Sequence, residues 1–340
     1  SLAGALPQSP PAGDSRARAY GSRVRVEVQG ICDMMSARPI LKIRLEEILA
    51  AAQLHALRQS GIPLLQLAQD PTTGPTEFAV PIESDPGLAC QVLRFVNSSF
   101  FGFAEEISSI RLAIALVGMR TIKHFILWSA VFSMMPDPQC GPFDLKTLWQ
   151  DSLRRALFAR LVARLLGVKE AEEAFSAALL QDIAVPLLAK ELPDVYATLL
   201  TAREERRLRL STLERYAFGW THAQAAAIVA RQWRLPDGLA FLIENHTADP
   251  GINGPCERNP LLTAVAMSAL LPAVTDPMWH DAGALEEICS QVRPAGSLVL
   301  PDLLTQVDRE FAGFAPVMKI SLPKKSLVDC YAEVTAVAEA

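Results

Sequence analysis

Apolar residues recur at the three- and four-residue spacing of a helix along most of this chain, and the pattern is densest in residues 176–190. There, apolar side chains fall on nearly every side of the predicted helix, and one carboxylate, Asp182, lies among them. A buried carboxylate is costly unless it is hydrogen-bonded, paired with a cation, bound to a metal or placed at a cleft. Pro186 lacks the N–H that would bond the Asp182 carbonyl, which predicts a kink beside the carboxylate. The stretch therefore indicates a present or former functional site.

The same periodicity predicts helices before and after this stretch. They cover residues 40–57, 64–69, 77–82, 88–97, 110–117, 122–135, 153–166, 261–271, 285–292, 301–314 and 327–337. Residues 23–29 differ, because three valines alternate with charged residues at the period of a half-buried strand. One strand cannot form a sheet, so it would pair with a second copy of the chain or lie on the helices. The sequence predicts an all-α bundle with one strand near its start.

Charge and composition narrow the possible partners. The chain has 340 residues, half of them hydrophobic, and a formal net charge of −5. This acidic balance gives no overall attraction to nucleic acid or to anionic lipid. The longest uncharged apolar run, residues 125–135, is too short to span a bilayer, and no secretory leader precedes the Pro-rich start. We expect a soluble cytoplasmic protein with neither a membrane nor a nucleic acid as partner.

Motifs that would reveal a common catalytic chemistry do not occur in the sequence. The six cysteines contain no Cys-x-x-Cys pair, which argues against a zinc knuckle, a redox motif or a disulfide framework. There is no Gly-rich phosphate loop and no Gly-x-Ser-x-Gly. An arginine row on one predicted helix is interpreted as a solvated face in preference to an anion-binding stripe, and residues 201–215 as an exposed, ion-paired helix and turn. The row comprises Arg154, Arg155, Arg160 and Arg164.

Several short motifs occur in an order and spacing that are specific when taken together. They include Asp85-Pro86-x-Leu88, Asn97-Ser98 to Gly102, Ile107-Ser108-Ser109-Ile110, Ala113-Ile114, Thr121-Ile122, Gly219-x-x-His222 and Trp233-x-Leu235-Pro236. Over about residues 52–250 the chain resembles the HDOD domain, the HD-related output domain of bacterial signalling proteins. The resemblance implies an HD-like helical bundle, similar in fold to metal-dependent HD phosphohydrolases but acting as a regulatory module without their complete metal site.

Composition and the resemblance together divide the chain into four expected segments. Residues 1–20 would be a flexible head rich in Pro, Ala and Gly, and residues 21–51 an N-terminal strand and helix segment. Residues 52–250 would form the HDOD-like domain. Residues 251–340 would be a C-terminal helical extension, because a polar loop at residues 247–260 marks the clearest change in composition.

In the HD hydrolases, histidines and an aspartate on neighbouring helices hold divalent metal ions that activate water. The resemblance places Asp151 where the first histidine is expected and Gln181 where the histidine of the His-Asp pair is expected. Asn245 takes the place of the first residue of a tandem histidine pair. Asp182, His222 and His246 remain as candidate ligands. The resemblance thus implies a degenerate metal site.

Three hypotheses follow. The preferred one is a non-catalytic module without a cofactor, which contacts signalling proteins and keeps the old site as a hydrogen-bonded polar network. The second is a divergent phosphohydrolase with one divalent metal held by Asp151, Asp182, His222 and His246. The third is a sensor of a nucleotide or cyclic dinucleotide, for which the candidate binding residues are Gln181, Asn245, Arg154 and Arg155.

Overall fold

Helices account for all the regular secondary structure in the part of the chain that the structure describes. The structure, a computed structural model, describes residues 44–51, 74–98, 101–132, 135–206, 208–250, 259–292, 299–316 and 318–338. The predicted all-α bundle is confirmed. The predicted strand at residues 23–29, which motivated the expectation of a homo-oligomer, lies outside the described residues, as does the head at residues 1–20.

The described helices follow one another with short connections over most of the chain. In order they are α1 Leu45–Ala51, α2 Pro75–Glu83, α3 Pro86–Val96, α4 Ile110–Val117, α5 Met119–Phe132, α6 Leu145–Leu165, α7 Ala171–Leu180, α8 Ala184–Glu191, α9 Pro193–Arg206, α10 Leu210–Phe218, α11 His222–Gln232, α12 Asp237–Asn245, α13 Pro260–Ser268, α14 Ala282–Gln291, α15 Leu300–Phe314 and α16 Leu327–Ala338. None of these helices combines the length and apolar character needed to cross a bilayer.

Helix α6 is the centre of the bundle, because α7, α13 and α15 all pack against it. Asp144 precedes its first residue and caps the helix, because the Asp144 side chain accepts a hydrogen bond from the Lys146 N–H at 2.8 Å. Residues on every side of its middle turns are buried, among them Leu153, Leu157 and Phe158. A helix buried all round cannot be amphipathic in the usual sense. The helices after residue 259 contribute to the same hydrophobic core as those before residue 250.

A break in the chain places Asp182 at the centre of the molecule. Helix α7 ends at Leu180, residues 181–183 form a turn, and α8 begins at Ala184. The predicted kink is thus confirmed, and it is a full break. The Asp182 carbonyl accepts a hydrogen bond from the Val185 N–H at 3.0 Å, since Pro186 has no N–H to offer. The break exposes the polar side chains of the turn to the space between helices.

The arginine row of α6 is not a solvated face, and that interpretation was wrong for Arg154 and Arg160. Each of these residues is 2% exposed, because α15 covers this side of α6. Arg160 Nη2 lies 2.7 Å from Glu310 Oε2, and Arg154 donates to the Lys325 carbonyl. Arg164 remains at the surface, with a side chain that is 53% exposed.

Candidate functional site

A cavity of about 210 Å³ lies beside the break between α7 and α8. Its walls come from α6, the 181–183 turn, α9, α10, the start of α11, residues 246–247 just after α12, and residues 269–281. Most of the candidate residues line it together. They are Asp151, Arg155, Gln181, Asp182, His222 and His246.

Three of these side chains converge on one point. Asp182 Oδ1 lies 3.2 Å from His222 Nε2 and 3.6 Å from His246 Nε2. The two Nε2 atoms are 3.2 Å apart. All three residues are buried, and together they form a group that could hold a metal ion.

The far side of each imidazole ring is held by an acceptor. Glu214 Oε2 lies 2.6 Å from His222 Nδ1 and accepts the His222 backbone N–H at 2.7 Å. Tyr196 donates its hydroxyl to Glu214 Oε1 at 2.6 Å. His246 Nδ1 lies 2.7 Å from the Ile243 carbonyl. Both rings therefore carry a hydrogen on Nδ1 and turn Nε2 toward Asp182.

Asp182 forms an ion pair through its second oxygen, because the Arg155 guanidinium bonds Oδ2 while Oδ1 faces the histidines. Burial alone would raise the pKa of Asp182, but Arg155 and the two histidines outweigh it and hold that pKa below its usual range. Burial likewise acts to lower the pKa of His222, and Glu214 and Asp182 together raise it to about 10. Burial lowers the pKa of His246 to about 4. At neutral pH, two cations and two anions therefore form one chain, Arg155–Asp182–His222–Glu214.

Asp151, the fourth ligand of the hydrolase hypothesis, lines the cavity but points to the backbone. Its Oδ1 accepts a hydrogen bond from the Val274 N–H at 2.8 Å, which ties α6 to the segment after α13. Burial raises the pKa of Asp151 to about 6, although Arg155 opposes the rise. The group with metal-ligand spacing contains Asp182, His222 and His246 without Asp151.

The remaining binding candidates are dispersed. Asn245 is half-buried, does not line the cavity, and donates to the Phe241 carbonyl of its own helix at 2.8 Å. Arg154 lies under α15, bonded to the Lys325 carbonyl. Gln181 is 1% exposed, and neither of its amide atoms has a hydrogen-bond partner among the described residues. Gln181 therefore makes no hydrogen bond to its neighbour Asp182, whereas His222 does.

Replacing Gln181 with methionine is expected to stabilise the protein by about 1–3 kcal/mol, because it removes two buried, unpaired polar atoms at nearly constant volume. Urea unfolding measures the difference. Gln150→Met is the matched control, since the buried Gln150 amide donates to the Ser321 carbonyl at 2.7 Å. That control should lose stability. A loss in Gln181→Met as large as in the control would contradict the prediction.

Glu214 and Tyr196 are the site residues that sequence reasoning missed. The interpretation of residues 201–215 as exposed is wrong for Glu214, which is 0% exposed. Glu214 belongs to the site, because it holds the His222 ring. A signal was present. Glu214 lies one turn after Leu210 and one turn before Phe218, so it falls on the apolar face of α10. A carboxylate on such a face requires a partner as much as Asp182 does.

The comparisons with known proteins agree with this architecture. The model of the HDOD domain family matches residues 54–249, which is more than half of the chain. The chain belongs to the HDOD domain family. The resemblance noted in the sequence is thereby confirmed. An uncharacterized protein from Treponema pallidum is 23% identical over 201 residues, which are 59% of this chain and 38% of that protein. The chain therefore matches well under half of that relative's length.

Two solved structures share the HDOD fold of this chain. One is an HDOD domain protein of unknown function from Geobacter sulfurreducens, with 20% identity, a TM-score of 0.57 and coverage of 87% of this chain and 94% of that one. The other, from Shewanella amazonensis, is provisionally assigned as a phosphohydrolase. It is 22% identical with a TM-score of 0.60, and the match covers 81% of this chain and 98% of that one. At these identities the likeness establishes the fold.

Proposed function

We propose that this HDOD protein is a non-catalytic regulatory module in signal transduction, which acts through contacts with a signalling protein. Membership of the family supports a signalling module. The observation that carries the non-catalytic part is the chain Arg155–Asp182–His222–Glu214. Its charges cancel and its members are hydrogen-bonded to one another, which is the arrangement of a stable buried polar network.

The donor set does not fit the dinuclear centre of an HD hydrolase. Two metal ions need bridging ligands, and the second oxygen of Asp182 is bonded to Arg155. Gln181 offers a neutral amide in place of an imidazole, and Asp151 accepts a backbone N–H. The residues that would complete a second ion position are thus replaced or engaged elsewhere.

The cavity also offers little to a phosphate ester. Each arginine among the described lining residues is paired with an aspartate: Arg155 with Asp182, Arg203 with Asp276 at 2.7 Å, and Arg209 with Asp281 at 2.9 Å. A phosphate would have to share one of these guanidinium groups with a carboxylate that already neutralises its charge. This argues against both a phosphohydrolase and a nucleotide sensor.

A metal-dependent phosphohydrolase is the second candidate, favoured by the convergence of Asp182, His222 and His246. Hydrolysis of p-nitrophenyl phosphate, its bis ester and cyclic dinucleotides, with Mn²⁺, Fe²⁺, Zn²⁺ or Mg²⁺ added, separates the two. We expect no turnover above that of Asp182→Asn. Turnover that chelator and Asp182→Asn both abolish, and that the exposed control Asp302→Asn retains, would overturn the proposal.

A further inference from the structure

We propose that Asp182, His222 and His246 form a site for a single first-row divalent cation, with Glu214 as a positioning residue. This inference goes beyond the proposed function, because a regulatory module can bind an ion without hydrolysing anything. It also differs from the four-residue set that the resemblance implied, since Asp151 is not among its members. The experiment below can therefore contradict the single-ion site without contradicting the non-catalytic function, and the reverse.

The spacing of the three donor atoms is the first observation. Asp182 Oδ1 and the two Nε2 atoms are separated by 3.2, 3.2 and 3.6 Å. A tetrahedral ion with bonds of about 2.0–2.1 Å holds its ligand atoms about 3.3–3.4 Å from one another. The three atoms thus already have the separations of one face of such a site.

The identity of the donors selects the class of ion. Two imidazole nitrogens and one carboxylate oxygen are the set that binds zinc, iron(II) and similar borderline ions. Magnesium and calcium prefer oxygen ligands throughout. When bound, such an ion would supply Lewis acidity and a coordination position open to the cavity that all three side chains line.

The outer contacts are those of ligating histidines. A histidine that binds a metal through Nε2 usually donates its Nδ1 hydrogen to a carboxylate or a carbonyl, which fixes the ring and its tautomer. His222 has Glu214 at 2.6 Å and His246 has the Ile243 carbonyl at 2.7 Å. Glu214 is itself held by the Tyr196 hydroxyl and the His222 N–H. The rings are therefore held from behind in a ligating orientation. Metal binding would release to solvent the proton that His222 Nε2 donates to Asp182.

The surroundings limit the site to one ion. Arg155 holds the second oxygen of Asp182, which cannot then bridge to a neighbouring cation. The guanidinium also repels a second positive charge at that position. Gln181, beside Asp182 in the turn, contributes an amide where an imidazole would be needed.

The test is a titration of tag-free, metal-free full-length protein with Zn²⁺ by calorimetry and with Co²⁺ by visible absorption. We expect one ion per chain and, with Co²⁺, the intense bands of a four-coordinate site. His246→Gln should weaken Zn²⁺ binding at least 100-fold. His280→Gln is the matched control, because His280 also lines the cavity and is exposed, and its affinity should equal that of the wild type. Urea unfolding of each variant checks that it is folded.

Two further variants test the details. Glu214→Gln should lower Zn²⁺ affinity about 10–100-fold. Glu214 does not contact the ion, so this loss is the one expected of a residue that positions His222. Asp151→Asn should bind as the wild type does, and a loss as large as that of His246→Gln would overturn the three-residue set. No binding by the wild type, or equal binding by His246→Gln, would overturn the inference and leave the proposed function intact. Zn²⁺ binding accompanied by hydrolysis of a phosphate ester would support the metal site and overturn the non-catalytic function.

Discussion

Replacing Arg155 with methionine is expected to destabilise the fold by about 3–5 kcal/mol, because the variant leaves the Asp182 carboxylate buried without its guanidinium partner. The Arg155 side chain is 14% exposed and that of Asp182 is 8% exposed, so water from the cavity replaces the lost partner only in part. His222 still donates to the other oxygen, which keeps the loss within this range. Urea unfolding, followed by circular dichroism, measures the change in the free energy of unfolding.

A matched control and a double variant make this result specific. Arg164→Met removes an arginine from the same helix, but its side chain is 53% exposed and its bond to Glu172 is at the surface, so the loss should be about 0–1 kcal/mol. Combining Arg155→Met with Asp182→Asn removes both charges of the pair. The double variant should therefore lose less than the sum of the single variants. Equal losses in Arg155→Met and Arg164→Met would contradict the prediction.

The break that positions Asp182 could be predicted because its causes are local. Pro186 removes one helical hydrogen bond, and a single carboxylate among apolar residues needs a cleft or a partner wherever the helix lies. Both causes lie within one helical turn of Asp182 in the sequence. The start of α6 also has a local cause, the Asp144 cap, although the periodicity predicted this helix only from residue 153 and not from Leu145.

The burial of Arg154 and Arg160 could not be predicted, because its cause is distant in sequence. The residues that cover and pair them, Lys325 and Glu310, follow by at least 150 positions. Helical periodicity shows that a row lies opposite a leucine row, but not that another helix will cover it. Leucines on one side and arginines on the other are equally consistent with a surface helix and with a central one.

The inner half of the candidate site was predictable and the outer half was not. Asp182, His222 and His246 could be identified from their residue types and from the order of the motifs along the chain. The contact between Glu214 and His222 depends on the packing of α10 against the start of α11. Glu214 nevertheless lies on an apolar face, and treating every carboxylate on such a face as Asp182 was treated would have identified it.

The stability of the protein is expected to fall as the pH rises from about 6.5 toward 10. His222 has an ordinary pKa of 6.5 that is raised to about 10 in the fold, since Glu214 and Asp182 outweigh burial. The folded state thus binds a proton that the unfolded state releases across this interval. The contribution is complete below pH 6.5 and is lost as the pH passes through the folded value. Its size is on the order of 3–5 kcal/mol.

Below pH 6.5 the stability should change less steeply with pH, because the contributions of two buried groups, His246 and Asp151, have opposite signs there. His246, whose pKa is lowered by burial from 6.5 to about 4, costs stability as the pH falls below 6.5. Asp151, whose pKa is raised by burial from 3.8 to about 6, restores stability as the pH falls over nearly the same interval. Asp182, with a pKa below its usual range, loses its contribution only at lower pH. The optimum should therefore lie near pH 6.5, where the losses on the two sides meet.

Urea unfolding at a series of pH values from 6.5 to 9, in the wild type and in His222→Gln, isolates the alkaline effect. The thiols of the buried Cys140 and the half-buried Cys289 also oppose ionisation, but burial raises their pKa from 9.0 to about 11, so they act above this range. The variant will be less stable at every pH, because Glu214 and Asp182 lose their shared cation. The informative quantity is the slope. It should be steep in the wild type and nearly flat in His222→Gln, and parallel slopes would show that His222 is not the imidazolium that joins the two carboxylates.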